Sequence, residues 1–228
     1  MRLVHTRAGW RASFLMSALI GVLTVSFLVG RETATQTLST RPDRGGAAPS
    51  AVDVGFCQDM ATHHQQAVLM SSLADQRAGP AVKALANSIL MGQSQELGVM
   101  RGWLRLWDKP AVSSAPMSWI SGQASMTGME ETRAANLSST DVQMPGMATP
   151  DQLNELWMKS GKDFDVLFLQ LMIRHHQGGI TMARYAAVHA KLDALRQAAE
   201  AMIYEQAEDI GQMLALLKAY GAAPLPAP

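Results

Sequence analysis

Asp165-Val166-Leu167-Phe168-Leu169-Gln170-Leu171-Met172-Ile173-Arg174-His175-His176-Gln177 restates, 112 residues on, Asp53-Val54-Gly55-Phe56-Cys57-Gln58-Asp59-Met60-Ala61-Thr62-His63-His64-Gln65. Both copies keep Asp, Val, Phe, Gln, Met and the His-His-Gln run in register. Each carries a further methionine ten residues after the first, Met70 and Met182. At 100° per residue, the Asp, the Phe, both histidines and both methionines of each copy fall within an arc of about 120°. Each copy therefore reads as one helix with one unusual face, bearing a carboxylate, two imidazoles and two thioethers where an ordinary core stripe is Leu and Ile. Side chains three and four residues apart touch on such a face, which joins Met60 to His63 and His64, and Met172 to His175 and His176.

Outward from the two copies the pattern stays helical. The first helix is expected over residues 51–78, where Gly79-Pro80 breaks it and Pro80 opens the next, running to about Trp107. In the second half, Pro150-Asp151 starts a helix and residues 160–163 interrupt it. A long helix follows from Phe164 to His189, and a last one runs to Tyr220, where Gly221 stops it. No segment alternates like a strand. The fold class is all-α: a ferritin-like four-helix bundle over residues 51–222, made of two repeated hairpins (51–107 and 150–220). A methionine-containing crossover, 108–149, joins them, and a membrane helix precedes the whole. The partner helices repeat too, with one residue's slip: Gln93, Glu96 and Met100 answer to Gln206, Asp209 and Met213. Glu96 and Asp209 are placed to orient the imidazoles. Asp53 and Asp165 are expected either to support them in the same way or to cap their own helices.

The N-terminus carries Arg2, Arg7 and Arg11 ahead of Ala12 to Gly30, a stretch without charge. Nineteen residues span about 28 Å as a helix, close to a bilayer's hydrocarbon thickness. The basic flank points to export of everything after it, with residues 1–31 as an uncleaved single-pass anchor and residues 32–50 as a flexible linker. A cleaved leader, giving a secreted or periplasmic product, is the alternative. Nineteen basic and nineteen acidic residues balance to zero, so there is no cationic surplus for nucleic acid. The single cysteine, Cys57, allows no internal disulfide. Association of copies into a homo-oligomer stays open.

Donor chemistry narrows the function. Ten residues are candidate metal ligands: Met60, His63, His64, Met70, Met100, Met172, His175, His176, Met182 and Met213. Di-iron bundles place glutamate three residues before histidine; here Met60 and Met172 stand in that position. Thioether in place of carboxylate favours copper, as Cu(I), over iron, and zinc rarely takes methionine. Met117, Met126, Met129, Met144 and Met147 in the crossover could add transient thioether contacts. The leading expectation is an extracytoplasmic copper-binding protein for sequestration or handover. A metal-dependent bundle oxidoreductase with Glu96 and Asp209 as direct ligands, and a stress-related helical scaffold without metal, are the alternatives. Nothing reads as a nucleophile–base pair or a phosphate loop. Histidine ligands must be neutral to bind, so metal affinity is expected to weaken as pH falls through about 6.5.

Met144-Pro145-Gly146-Met147 followed by Ala-Thr-Pro-Asp-Gln-Leu, then Ser160-Gly161-Lys162-Asp163-Phe164-Asp165 and Phe168 through Ala183 with its His-His-Gln-Gly-Gly run, resembles domain-of-unknown-function family 305. The resemblance covers about residues 51–220. It implies an exported, ferritin-like domain with paired His-His-Gln motifs, in a family that includes periplasmic copper-binding proteins. The first copy departs from the pattern at Asp59, and at Gln66-Ala67 in place of Gly-Gly.

Overall fold

The computed structural model describes residues 47–120 and 144–228. Five helices run in the order α1 (Ala51–Arg77), α2 (Pro80–Leu106), α3 (Pro150–Met158), α4 (Gly161–His189) and α5 (Asp193–Ala219), and no strand occurs among the described residues. The apolar stretch Ala12–Gly30 lies outside the described residues. Among the described ones, no helix is long and apolar enough to cross a membrane.

Helix boundaries follow local chemistry. Ser50 and Asp53 form a reciprocal capping box at the start of α1, with Ser50 N–H donating to the Asp53 carboxylate at 2.6 Å and Asp53 N–H to Ser50 Oγ at 3.2 Å. Thr149 and Gln152 repeat the device ahead of Pro150 at α3. Pro80 sits in the first turn of α2, where its missing N–H is no loss. The break expected at residues 160–163 falls earlier, at Lys159–Ser160, so α4 starts at Gly161, whose φ is 58°, and not at Phe164.

The architecture is two hairpins. α1 packs along α2, α4 packs along α5, and the hairpins meet chiefly where α1 crosses α4, while α2 and α5 scarcely touch. The repeated aspartates stitch this assembly together. Asp53 also accepts from the N–H groups of Leu192 (3.0 Å) and Lys191 (3.3 Å), in the turn between α4 and α5. Asp165 accepts from Gly79 N–H (3.0 Å), in the turn between α1 and α2, and from the Tyr220 hydroxyl at 2.6 Å. The repeated aspartate of each hairpin thus closes the other hairpin's turn. Burial raises the Asp53 pKa, but these hydrogen bonds outweigh it and hold the carboxyl below its ordinary value. The hydrogen bonds of Asp53 and Asp165 thus run to turn N–H groups and hydroxyls and, for Asp53, to the cap of its own helix, the second of the two expected roles.

The crossover returns to the core at Met144–Ala148. Gln66 of α1 clamps it with two bonds, accepting from Ala148 N–H (2.7 Å) and donating to its carbonyl (2.9 Å). Gly178 of α4 leaves the room that the segment occupies, since a Cβ there would collide with the Pro145 carbonyl. The two copies differ at this matched position because the crossover meets each of them differently. Gly178→Ala should displace residues 144–148 and destabilise the fold by about 1–3 kcal/mol, read from chemical denaturation.

Candidate metal centre

Four imidazoles meet where α1 crosses α4, and all are fully buried. Neighbours on a helix point about 100° apart, so one ring of each pair turns toward the other copy and the second turns toward its partner helix. The inward rings of His63 and His175 lie 3.7 Å apart between centroids, tilted by 32°. His63 Nε2 lies 3.1 Å from the Pro145 carbonyl, and His175 Nε2 lies 3.1 Å from the His63 carbonyl. Of the outward rings, His64 Nε2 meets the Glu96 carboxylate at 2.7 Å and His176 Nε2 meets the Asp209 carboxylate at 3.1 Å. All four partners are acceptors, so each ring donates from Nε2. Nδ1 of all four rings is buried without a hydrogen-bond partner.

Leaving a buried polar atom unpartnered costs about 1–3 kcal/mol, and folded proteins carry few such atoms. Four of one kind within one crossing point therefore ask for a ligand. The inner rings are held neutral. Burial, reinforced by repulsion from His64, pulls His63 down to about 3 against the opposing pull of the Pro145 carbonyl. Burial and then the charges of His63 and His176 pull His175 well below its ordinary value. With Nε2 protonated and the ring neutral, Nδ1 offers a lone pair.

The six thioethers of the repeat are fully buried as well, and they separate into two groups. Met60, Met100 and Met182 share one apolar cluster, contributed by α1, α2 and α4. Met172, Met213 and Met70 share the other, contributed by α4, α5 and α1. The sequence repeat relates the groups one for one: Met60 with Met172, Met100 with Met213, Met182 with Met70. The first group is the richer, because Cys57, Met202 and the crossover's Met117 and Met144 join it, with Met147 packed against it. Met126 and Met129 lie outside the described residues. Burial, then the charge of Asp53, push the Cys57 thiol up, so it stays protonated without a partner.

Sequence reasoning missed Asp59. It is buried, accepts from Met117 N–H at 2.6 Å and from the Trp119 indole at 2.7 Å, and so holds the start of the crossover over the Met60 group. Trp119 packs edge-on against Phe56 with centroids 5.8 Å apart. Burial raises the Asp59 pKa, and these two bonds oppose the rise. The available signal was its mismatch with Leu171 in the second copy. Asp59→Leu should leave two buried donors unpaired, destabilising the protein by about 2 kcal/mol or more. Tryptophan fluorescence should also shift as Trp119 loosens.

Among the described residues, no three His, Cys, Asp or Glu side chains come close enough together to hold a metal ion. A site in the crossing region therefore needs a donor of another kind, and thioether sulfur is one that the buried methionines offer.

Residues 53–217 match the family described as Domain of unknown function (DUF305). The chain belongs to the DUF305 family. A DUF305 protein from Streptomyces coelicolor is 36% identical, with a TM-score of 0.65 over 77% of this chain and 97% of its own. A DUF305 fragment from Deinococcus radiodurans is 23% identical, with a TM-score of 0.56 over 75% of this chain and 98% of its own, a likeness of fold alone. CopM in its Cu(II)-bound form is 25% identical, with a TM-score of 0.55 over 74% of this chain and 97% of its own. CopM has also been solved in Cu(I)-bound and Ag-bound forms. No curated protein matches this chain.

Proposed function

We propose that this DUF305 protein binds copper, as Cu(I), through methionine sulfur and imidazole nitrogen, and serves to sequester or hand over the metal outside the cytoplasm. One observation carries the reading: four buried imidazoles, each tied through Nε2 to an acceptor, keep four unpartnered Nδ1 atoms, and the helices that bear them also carry two matched groups of buried thioethers. Soft thioether donors select Cu(I), and imidazole suits copper in either oxidation state. Histidine ligands typically donate their other N–H to a carboxylate or a carbonyl, which sets the tautomer and raises basicity. Glu96 and Asp209 stand in that relation to His64 and His176.

The residues that would hold the metal are Met60, Met100 and Met182 in one half and Met172, Met213 and Met70 in the other, together with His63, His64, His175 and His176. The Cu(II)-bound form of CopM, at 25% identity, supports a copper-binding role for this chain. The oxidoreductase reading needs Glu96 and Asp209 as direct ligands, whereas both are engaged by imidazole N–H groups. The two hairpins with their long crossover support the ferritin-like reading of the fold. The basic-then-apolar start (Arg2, Arg7 and Arg11 before Ala12) supports export.

The test is competition for Cu(I) against a chelator of known affinity, under reducing conditions, with Zn(II) and Fe(II) run in parallel. Cu(I) should be retained and the harder ions released. Equal retention of Zn(II) would remove the thioethers from the argument.

A further inference from the structure

The side of the molecule where α2 and α5 fail to meet has a chemistry of its own. A cavity of about 250 Å³ opens between these helices, and Glu96, Glu205, Glu208 and Asp209 line it without any basic residue. Gln93 and Gln206 line it too. They are 4% and 3% exposed, and neither amide nitrogen nor oxygen of either has a hydrogen-bond partner. The two glutamines occupy matching positions of the hairpins, as do Glu96 and Asp209. Gln206 is held in place by α4, where Gly179 leaves just enough room for its amide.

Two helices of a bundle ordinarily close on each other with apolar side chains. Here they part around four carboxylates, whose mutual repulsion works against the fold. Glu205 shows the strain: burial, then the charges of Glu96 and Asp209, raise its pKa. A cation in the cavity would relieve both the repulsion and the orphaned amide oxygens.

We propose that this groove binds a hydrated divalent cation of the oxygen-seeking class, at a site separate from the thioether groups. Among the described residues no three carboxylate or imidazole groups approach closely enough to coordinate one ion directly, so the ion keeps water in its inner shell. Carboxylates and glutamine oxygens accept hydrogen bonds from that water. The volume is ample for this, since one water needs only about 10–15 Å³ of such space. The site uses oxygen donors alone and does not depend on the copper reading. Because Glu96 and Asp209 also hold His64 and His176, an ion in the groove is linked to the imidazoles through its water and these carboxylates.

Mn(II) is the probe, because it prefers carboxylate, carbonyl and water to thioether and broadens nearby NMR signals. Titrated into the full-length chain, it should selectively broaden the side-chain amide signals of Gln93 and Gln206, with a Kd of about 0.1–1 mM. The double variant Glu205→Gln, Glu208→Gln alters neither a proposed copper ligand nor a partner of the imidazoles. It should weaken Mn(II) about tenfold or more, while helical circular dichroism and Cu(I) affinity stay as in the parent. Mn(II) affinity unchanged in the double variant, or broadening spread evenly over surface carboxylates, overturns the proposal. Mn(II) held in the groove by a chain that fails to retain Cu(I) supports this site and removes the thioether one.

Discussion

Met172→Leu should leave the protein folded and lower its Cu(I) affinity at least tenfold in one half of the centre. Met172 is fully buried in the cluster that also holds Met213 and Met70. Leucine nearly conserves its volume and adds no polar atom, so stability should change by less than about 1.5 kcal/mol. What leucine removes is the sulfur. A stability loss and an affinity loss of the same origin would track each other; here they should part. Because Met60, Met100 and Met182 form a separate cluster, the variant should keep the Cu(I) that this first group retains. The double variant Met60→Leu, Met172→Leu should lose both. Chelator competition with the three proteins reads the difference directly. An affinity unchanged in the single variant would reduce Met172 to core filler, which is what buried methionine often is.

Much of this was legible in the chain. The duplicated Asp-Phe-Met-His-His face fixes two helices and their equivalence, and the Gly79-Pro80 and Ser160-Gly161 breaks place the ends of α1 and the start of α4. Glu96 and Asp209 fall beside the outward histidines because the repeat extends into the partner helices. The division of the thioethers was half legible: ten residues separate Met60 from Met70, about 15 Å along a helix, too far for one ion. Which methionine of the opposite copy each one meets depends on how α1 crosses α4, and no local pattern records that. The turn-closing role of the aspartates was hidden for a similar reason. A carboxylate at a helix start looks alike whether it caps, orients an imidazole, or closes the turn of a hairpin far away in sequence, as Asp53 and Asp165 do. The arrangement of Asp59, Met117 and Trp119 depends on contacts between segments roughly sixty residues apart, with no periodicity to announce them.

The metal-free protein should lose stability steeply as pH falls below about 6.5. In the unfolded chain His63 and His175 titrate near that ordinary value. In the folded protein burial pulls His63 down to about 3, and His175 well below its usual range. Between these limits the unfolded state binds more protons than the folded one, so stability rises with pH and drains away as pH drops. Above about 6.5 both states are neutral and the term vanishes. At pH 5 it amounts to about 2 kcal/mol for His63, with His175 adding a loss of the same sign. That is a large fraction of a typical folding free energy. Urea denaturation at pH 7, 6 and 5, followed by helical circular dichroism, measures it in a window above the range where ordinary carboxylates titrate. His175→Gln should flatten the slope. The same depression gives a different expectation for the metal from the one that histidine's ordinary pKa gives. The inner imidazoles are already neutral at pH 6, so protons should not compete for their Nδ1 atoms there, and Cu(I) affinity at these rings should hold below pH 6.5. A folded state equally stable at pH 7 and pH 5 would mean that the His63–His175 stack admits water and accepts protons freely. The neutral lone pairs on which the centre is built would then be lost at pH 5.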